Sequence, residues 1–445
     1  MQSIREHAKS TISLAYPIMI GQVGVIMMGV VDSIMVGGVG ATPLAAASLA
    51  NSLFILVLII GIGISYAVTP LVAISIGANK VSECKILFNQ SFIINLVVGT
   101  ILMAVTYMLA DLIKYLNQPA EVARQAIAYT KILGYSMIPG MLFQTYKQFI
   151  EGLSIMRPAM IITLIANIIN GLVNWVLVYG KFGFPALELN GAGWATFSSR
   201  VFMGIVIMLY VMKSNRFSGY GLKLNMRNLN LPVIKKILGL GIPSAIQYVF
   251  EVGAFSFAVI MVGWLGTKQL AAHQIAINLA SISFMATLGI SSAGAIRVGI
   301  AVGKQNVIEV RKAGFTAIVL GALLMAICGI IFIFLRSFLP SLYIHDPTVI
   351  SYASTLLIIA AIFQISDGTQ AVGIGVLRGL TDVKGPTLIT FIAYWVLALP
   401  IGYLLGFTFH LQVAGVWIGL LVGLTASAAM LTYRFNKKSR FLISI

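Results

Sequence analysis

The sequence is poor in charged residues, and acidic residues are especially scarce. Charged side chains make up 9% of the 445 residues, and only 12 residues are Asp or Glu. An average soluble domain carries about 25% charged residues. This scarcity excludes an ordinary soluble protein. The 59% hydrophobic content and the mean hydropathy of +0.99 predict instead an all-α membrane protein with many spans.

Residues that carry enzyme chemistry are also few. The two cysteines, Cys84 and Cys328, and the four histidines form no redox or metal motif. The patterns HExxH, paired GxGD-type aspartates and GxSxG do not occur. These absences argue against an intramembrane enzyme, so no cofactor is expected. A channel is disfavoured because it does not need acids placed asymmetrically between two halves.

Twelve apolar runs are long enough to form transmembrane helices. They cover about 12–38, 45–76, 86–110, 125–149, 158–180, 191–213, 233–262, 270–302, 313–339, 349–377, 386–407 and 413–434. Lys and Arg concentrate in alternate loops and near both ends of the chain, which predicts cytoplasmic termini. The net charge of +17 therefore indicates topology rather than nucleic-acid binding. Short loops are typical of a prokaryotic inner-membrane protein, and we expect it to be monomeric.

The chain contains an internal duplication. At an offset of 226 residues, Pro17 aligns with Pro243, and the sequence IMVG at 34–37 recurs at 260–263. Because each repeat holds six spans, both repeats have the same orientation and predict two lobes around a central cavity. The expected division is an N-terminal lobe at 1–213, a basic cytoplasmic linker at 214–232 and a C-terminal lobe at 233–445.

Three acids lie inside predicted spans, and none of them is repeated in the other half. Asp32 lies in the first span, Glu251 in the seventh and Asp367 in the tenth. An ionised acid at the centre of a membrane helix costs roughly 2.5–3.5 kcal/mol, so such acids usually mark ion or proton pathways. The alternative is a neutral, hydrogen-bonded acid that holds helices together.

The depths of the acids predict two polar sites. Glu251 and Asp367 each lie near the membrane midplane of the C-terminal lobe, where two close carboxylates need a cation or a shared proton. Asp32 belongs to the N-terminal lobe. Its candidate partners are Asn170 and Asn174, one turn apart, and Thr196, although these three side chains are equally typical of helix–helix hydrogen bonding.

The chain resembles the multidrug and toxic compound extrusion (MATE) family over nearly all of its length. The stretches that carry the resemblance are YPIMIGQVGVIMMGVVDSIMVGGVG, PSAIQYVFEVGAF, LAAHQIAINLASISFM and FQISDGTQAVGIGVLRGLTDVKGP. The presence of both Glu251 and Asp367 points to the NorM-type branch. The resemblance implies an antiporter that exchanges Na⁺ or H⁺ for cationic, amphiphilic compounds.

The resemblance also implies roles for individual residues. Glu251 and Asp367 would bind the coupling cation, with Phe284 beside it, and Asp32 would form a polar site with Asn170 and Asn174. Many relatives carry Tyr where this chain has Phe363, so a possible hydroxyl ligand for Na⁺ is missing.

One question about the binding surface and one about the function stay open in the sequence. Aromatic side chains, among them Tyr248, Phe255, Trp395 and Tyr394, would supply cation–π contacts, but the sequence does not say which line the cavity. The alternative function is a lipid-linked oligosaccharide flippase of the same superfamily. Intramembrane acids favour cationic cargo over that alternative.

Overall fold

The computed structural model describes residues 3–222 and 229–441, which fold almost entirely into helices. The α-helices are α1 Ile4–Gly37, α2 Ala41–Ser65, α3 Val68–Gly77, α4 Val81–Leu112, α5 Ala120–Tyr135, α6 Met137–Gly152, α7 Arg157–Tyr179, α8 Glu188–Lys213, α9 Leu231–Gly263, α10 Thr267–Gly303, α11 Val307–Phe334, α12 Phe338–Ser341, α13 Pro347–Gly379, α14 Lys384–Phe391, α15 Leu399–Tyr403 and α16 Gln412–Phe441. Two π-helical segments, Ile392–Ala398 and Leu404–Thr408, lie between α14 and α16. The described residues contain no β-strand, which confirms the all-α prediction.

Eleven helical stretches among the described residues are long and apolar enough to cross a membrane. The predicted span at 125–149 is instead divided into α5 and α6, each of 16 residues, which meet at Ser136. Pro139 accounts for this division, because proline lacks an N–H donor and its ring clashes with the carbonyl four residues earlier. This region is therefore two short helices in series rather than one long helix, and neither is among the eleven stretches.

The duplication is visible in the backbone of turns that follow corresponding helices. Asn79 and Gln305 follow α3 and α10, and both adopt a positive φ, at 57° and 54°. Ser154 and Thr381, after α6 and α13, have φ values of 63° and 60°. Non-glycine residues seldom adopt this conformation, so its recurrence at matching positions supports two copies of one ancestral unit.

The repeats also share a close helix crossing built on glycine. A Cβ added to Gly152 would lie 2.9 Å from the carbonyl oxygen of Thr69. At the corresponding Gly379, a Cβ would lie 2.6 Å from the carbonyl oxygen of Ala295. Small residues let membrane helices approach this closely, and any side chain here would separate them.

The Cα positions divide into two compact units, which we call the first unit (residues 20–245) and the second unit (residues 1–19 with 246–445). The boundaries fall inside α1 and α9, two residues after Pro17 and Pro243. The start of each of these helices thus packs outside its own repeat. The predicted lobes at 1–213 and 233–445, which follow the repeat, stay a prediction, and part of the predicted linker, 223–228, lies outside the described residues.

Each unit has an apolar core of its own. The core of the first unit includes Phe54, Tyr129 and Leu133. The larger core of the second unit surrounds Trp417 and Phe363. Asp32 in the first unit and Glu251 and Asp367 in the second are buried as well, and a buried polar group without a partner is costly.

Candidate functional site

A cavity of about 340 Å³ lies among α9, α10 and α13 of the second unit. Glu251 and Asp367 both border it, and they are only 7% and 6% exposed. The cavity is lined by Tyr248, Glu251, Val252, Phe255, Ser256, Val259, Gln274, Ile277, Ala280, Ser281, Phe284, Met285, Phe363 and Asp367. The structure therefore brings together the two acids that the sequence placed in one site, within largely apolar walls.

Hydrogen bonds between α10 and α13 fix the side of the cavity that carries Asp367. The Ser291 hydroxyl donates to the carbonyl oxygen of Ala371 at 2.6 Å, and the Gln364 amide donates to the Ser283 hydroxyl at 2.5 Å. Both contacts are buried and flank Asp367 along α13. They set the depth of Asp367 relative to the α10 residues that line the cavity.

A buried hydrogen-bond network continues from Glu251 away from the cavity. The Gln370 side-chain amide donates to Glu251 Oε1 at 3.3 Å and lies 2.8 Å from the Tyr394 hydroxyl. That hydroxyl also lies 3.1 Å from Gln370 Oε1. Gln370 and Tyr394 have no solvent exposure, so their polar atoms depend on one another.

One buried cation lies near the second-unit acids. Arg378 interacts electrostatically with Glu251, and its guanidinium lies 5.9 Å from the centre of the Tyr248 ring. Asp367 and Arg378 are eleven residues apart on α13, which places them on the same face of the helix. Arg378 therefore offsets part of the negative charge in this region while standing outside the lining of the cavity.

The structure separates the predicted aromatic residues into two groups. Tyr248, Phe255 and Phe284 line the cavity, whereas Tyr394 and Trp395 are not among its lining residues. The Trp395 indole donates instead to the carbonyl oxygen of Phe250 at 3.0 Å. The candidate cation–π surface is thus formed by α9 and α10.

Phe363, where the family resemblance predicts a tyrosine, borders the cavity but faces an aromatic partner. Its ring stacks on Trp417 with a centroid separation of 5.3 Å. The Trp417 indole in turn donates to His273 Nδ1 at 2.9 Å. Phe363 thus contributes packing to the cavity wall and no oxygen ligand.

Asp32 forms a compact site in the first unit with three of the residues predicted to surround it. Thr196 donates to Asp32 Oδ2 at 2.6 Å, and Asn174 donates to Asp32 Oδ1 at 2.7 Å. The Asn174 amide also lies 3.2 Å from Asn170 Oδ1. Short bonds to an acid are typical of charge-assisted pairing, so this geometry suits an ionised carboxylate.

A cation, Arg200, accompanies Asp32. It lies one helical turn beyond Thr196 on α8 and interacts electrostatically with Asp32. Its guanidinium donates to the Ser136 hydroxyl at 3.0 Å and stacks over the Phe54 ring at 4.8 Å. The junction of α5 and α6 thus provides the hydroxyl that orients this arginine.

Sequence reasoning missed a second buried acid in the first unit. Glu151 follows the predicted span at 125–149, but it lies within α6 and is 3% exposed. Lys147, which sequence reasoning did not single out, approaches Glu151 to 3.9 Å and is also buried. The sequence did contain a signal for this pair, because Lys147 and Glu151 are opposite charges four residues apart and so lie on one face of a helix. Glu151 and Arg378 each directly precede the glycine that ends α6 or α13, so the two units carry opposite charges at this point of the repeat.

The donor set at the cavity limits what it can hold. Among residues 3–222 and 229–441, no three His, Cys, Asp or Glu side chains lie close enough together to form a metal cluster. Two carboxylates alone suit a proton or a monovalent cation that takes further ligands from neutral oxygens.

The fold and site define a helical multi-pass membrane protein, made by duplication, with carboxylates at a buried cavity. The chain belongs to the MatE family, whose model matches residues 17–176 and again 243–404, once in each repeat. This result confirms the family resemblance and the duplication together.

Curated relatives match almost end to end. The chain is 36% identical over 442 residues to a multidrug resistance protein MdtK from Yersinia pseudotuberculosis, with 98% of this chain and 96% of the relative covered. It is 35% identical over 440 residues, with the same coverage, to a multidrug resistance protein NorM from Photobacterium profundum. These matches confirm the NorM-type branch and do not favour the flippase alternative.

Solved structures agree in fold at lower sequence identity. A eukaryotic MATE transporter, AtDTX14, is 22% identical with a TM-score of 0.88 and covers 99% of this chain and 98% of its own. A multidrug resistance MATE family transporter in an outward-facing conformation is 20% identical with a TM-score of 0.91, at 99% and 97% coverage. These similarities establish the fold.

Proposed function

We propose that the protein is a secondary active multidrug efflux transporter of the bacterial inner membrane. It exchanges Na⁺ or H⁺ for cationic, amphiphilic compounds by alternating access. Both termini are cytoplasmic, the working unit is a monomer, and neither a cofactor nor a nucleic acid takes part. The compound leaves chemically unchanged, as in the transporters that the relatives' names describe.

The observation that carries this proposal is the pairing of Glu251 with Asp367 at one cavity. Two carboxylates in an apolar site cannot both stay ionised without a cation or a proton. An organic cation and a coupling ion therefore compete for the same negative charge. This competition is the simplest physical basis for antiport, because only one of the two cargoes can be held at a time.

The walls of the cavity suit flat, lipophilic cations. Tyr248, Phe255 and Phe284 offer ring faces, and Met285 offers an adaptable thioether. A volume of about 340 Å³ lies at the lower end of the range for sites that bind small molecules. Polyspecificity follows, since these contacts depend on charge and apolar surface rather than on directional hydrogen bonds.

Transport into proteoliposomes or out of cells, with a fluorescent cation such as ethidium, tests the proposal. Na⁺ and pH gradients are imposed separately on the wild type and on Glu251→Gln and Asp367→Asn. Because coupling free energies are typically 1–3 kcal/mol, we expect each variant to lose about tenfold or more of the gradient-driven rate. Glu121→Gln, an exposed acid on α5, is the matched control.

The outcomes separate the alternatives. Efflux that a Na⁺ or pH gradient drives and that both variants lose assigns coupling to the second unit. Efflux driven only by a pH gradient and lost in Asp32→Asn moves the coupling to the first unit. Ethidium efflux that ignores both gradients, with all acid variants equal to the wild type, contradicts the proposed function.

A further inference from the structure

Gln370 and Tyr394 form a hydrogen-bond network next to Glu251, and cation binding at the cavity does not by itself require either residue. Neither residue lines the cavity, yet both are fully buried beside the acid that borders it. Gln370 bridges Glu251 and the Tyr394 hydroxyl, with contacts of 3.3 and 2.8 Å. These three side chains form an unbroken path from the cavity wall into the eleventh predicted span.

The helix that carries Tyr394 is irregular at this position. Tyr394 lies in the π-helical segment Ile392–Ala398, where each turn holds an extra residue. The corresponding helix of the first repeat, α7, is a regular α-helix from Arg157 to Tyr179. Because π-helical turns redirect side chains and often occur at functional sites, the difference points to a specific use of Tyr394.

The chemistry of the pair suits an acid that changes its charge. A primary amide can offer its N–H to an ionised carboxylate or its C=O to a protonated one. The Tyr394 hydroxyl lies within reach of both Gln370 heteroatoms, at 2.8 and 3.1 Å, and can either accept or donate. The pair can therefore satisfy Glu251 in either charge state without leaving a buried polar atom unpartnered.

We propose that Gln370 and Tyr394 are positioning residues that hold Glu251 in both of its charge states and favour the ionised one that binds cations. This inference rests on the proposed function of Glu251 as the cation-binding acid. In the observed geometry the amide N–H faces Glu251 Oε1, which is the orientation that an ionised carboxylate requires, because such a group can only accept. Tyr394 keeps the amide in that orientation.

Other ionisable groups face Glu251 and are common to all variants of the test. Asp367 and Arg378, both on α13, interact electrostatically with Glu251, and the Arg378 guanidinium lies 5.9 Å from the centre of the Tyr248 ring. None of these groups is changed when Tyr394 loses its hydroxyl. A shift in the pH response of Tyr394→Phe can therefore be assigned to the network rather than to a new charge.

The test measures ethidium binding to the purified full-length protein as a function of pH. Binding of the cation increases with pH as Glu251 ionises. Tyr394→Phe keeps the ring that packs against Phe255, whose centroid lies 5.8 Å away, but frees the amide to rotate. We expect the pH midpoint to move upward by about 0.5–1 pH unit and binding near the midpoint to fall about three- to tenfold.

Three further variants keep the proposal open to refutation. Gln370→Met should shift the profile similarly, and the double variant should shift it no further, because both changes remove one network. Tyr403→Phe, in the same span but with an exposed side chain, should match the wild type. Superimposable profiles for Tyr394→Phe and the wild type would overturn the proposal, as would fully additive shifts.

Failure of the underlying function has a different signature. Glu251→Gln should weaken ethidium binding and reduce its pH dependence if this acid binds the cation, with Asp367 as the remaining titratable carboxylate at the cavity. A wild-type protein whose ethidium binding is equal to that of Glu251→Gln at every pH contradicts the proposed function itself. The expected loss of binding in Glu251→Gln, together with no effect in Tyr394→Phe, contradicts only the role of the network.

Discussion

The two units contain buried acids in opposite kinds of surroundings. In the first unit, Asp32 receives hydrogen bonds of 2.6 and 2.7 Å and interacts with Arg200. In the second unit, Glu251 receives one longer bond of 3.3 Å from an amide and shares its cavity with Asp367. Asp32 thus has two short hydrogen bonds and a cation to itself, whereas Arg378 acts on Glu251 alone and leaves the pair of acids with more negative than positive charge.

This difference assigns distinct tasks to acids that look alike in the sequence. A carboxylate that already has a cation and two donors gains little from binding another ion. Two carboxylates beside one cavity gain a great deal, because a cation relieves their mutual repulsion. We therefore expect Asp32 to stabilise its unit and the second-unit pair to exchange ions.

Removing the first-unit cation should produce the largest change in stability. Arg200→Gln leaves Asp32 without its compensating charge and should lower the free energy of unfolding by about 0.5–3 kcal/mol, the range for residues in one network. Thermal unfolding in detergent, followed by tryptophan fluorescence, measures the effect. Asp32→Asn in the Arg200→Gln background should restore part of the loss.

The double variant is the decisive comparison for this prediction. If Asp32 and Arg200 act independently, the two losses of stability will add instead of cancelling in part. Arg336→Gln, at an exposed position after α11, provides a control that removes positive charge without removing a partner of a buried acid. A loss of stability in this control equal to that in Arg200→Gln would contradict the special role of Arg200.

A smaller effect is expected from restoring a hydroxyl to the cavity wall. Phe363→Tyr adds an oxygen to a side chain that already borders the cavity with Glu251 and Asp367. Neutral oxygens complete the coordination of hard cations, so Na⁺ should stimulate efflux at a concentration about two- to tenfold lower. Ethidium efflux measured over a series of Na⁺ concentrations gives the shift.

The Phe363→Tyr result sharpens the contrast between the units only if the substitution changes the Na⁺ dependence of efflux and leaves the response to a pH gradient unchanged. Phe255→Tyr, which adds a hydroxyl elsewhere in the same wall, is the matched control. An unchanged Na⁺ response in Phe363→Tyr would show that this position does not contribute a ligand. The coupling ion would then have to find its oxygens elsewhere in the second unit.

Much of this arrangement followed from the sequence because membrane spans leave strong patterns. Long apolar runs, matching segments at an offset of 226 residues and isolated acids are all visible without coordinates. The positions of Asp32, Glu251 and Asp367 inside apolar runs predicted that these three acids would be buried, as they are, whereas the burial of Glu151 was missed. Roles for these residues stay predictions until transport is measured.

The features that sequence reasoning missed depend on contacts between helices. Gln370 was visible three residues after Asp367, but its bond to Tyr394 depends on the π-helical turn that aims the tyrosine. Lys147 and Glu151 lie at the end of an apolar run, where a charge normally indicates a loop. Amide and hydroxyl groups acquire meaning only once their partners across the helix interface are known.

A partly exposed acid of the second unit, Asp346, should behave differently from the buried ones and give the smallest effect. Asp346 accepts hydrogen bonds from the backbone N–H of Thr348 at 2.8 Å and of Val349 at 3.3 Å, and pairs with Lys268 at 3.1 Å. The hydrogen bond from Lys268 lowers the pKa of Asp346. A lowered pKa means that the ionised acid stabilises the folded state above the ordinary carboxyl range, and that this contribution is lost as the pH falls through the lowered value.

Asp346→Asn should therefore leave ethidium efflux unchanged and lower the melting temperature only slightly at neutral pH. The difference from the wild type should shrink as the pH falls, because the wild-type acid then becomes protonated and resembles the amide. Thermal unfolding at several pH values and at high salt checks this, since salt should reduce the contribution of an exposed pair. A loss of efflux comparable to that of Asp367→Asn would contradict this prediction. It would mean that an acid at the start of α13, outside the cavity, matters for transport as much as an acid that lines the cavity.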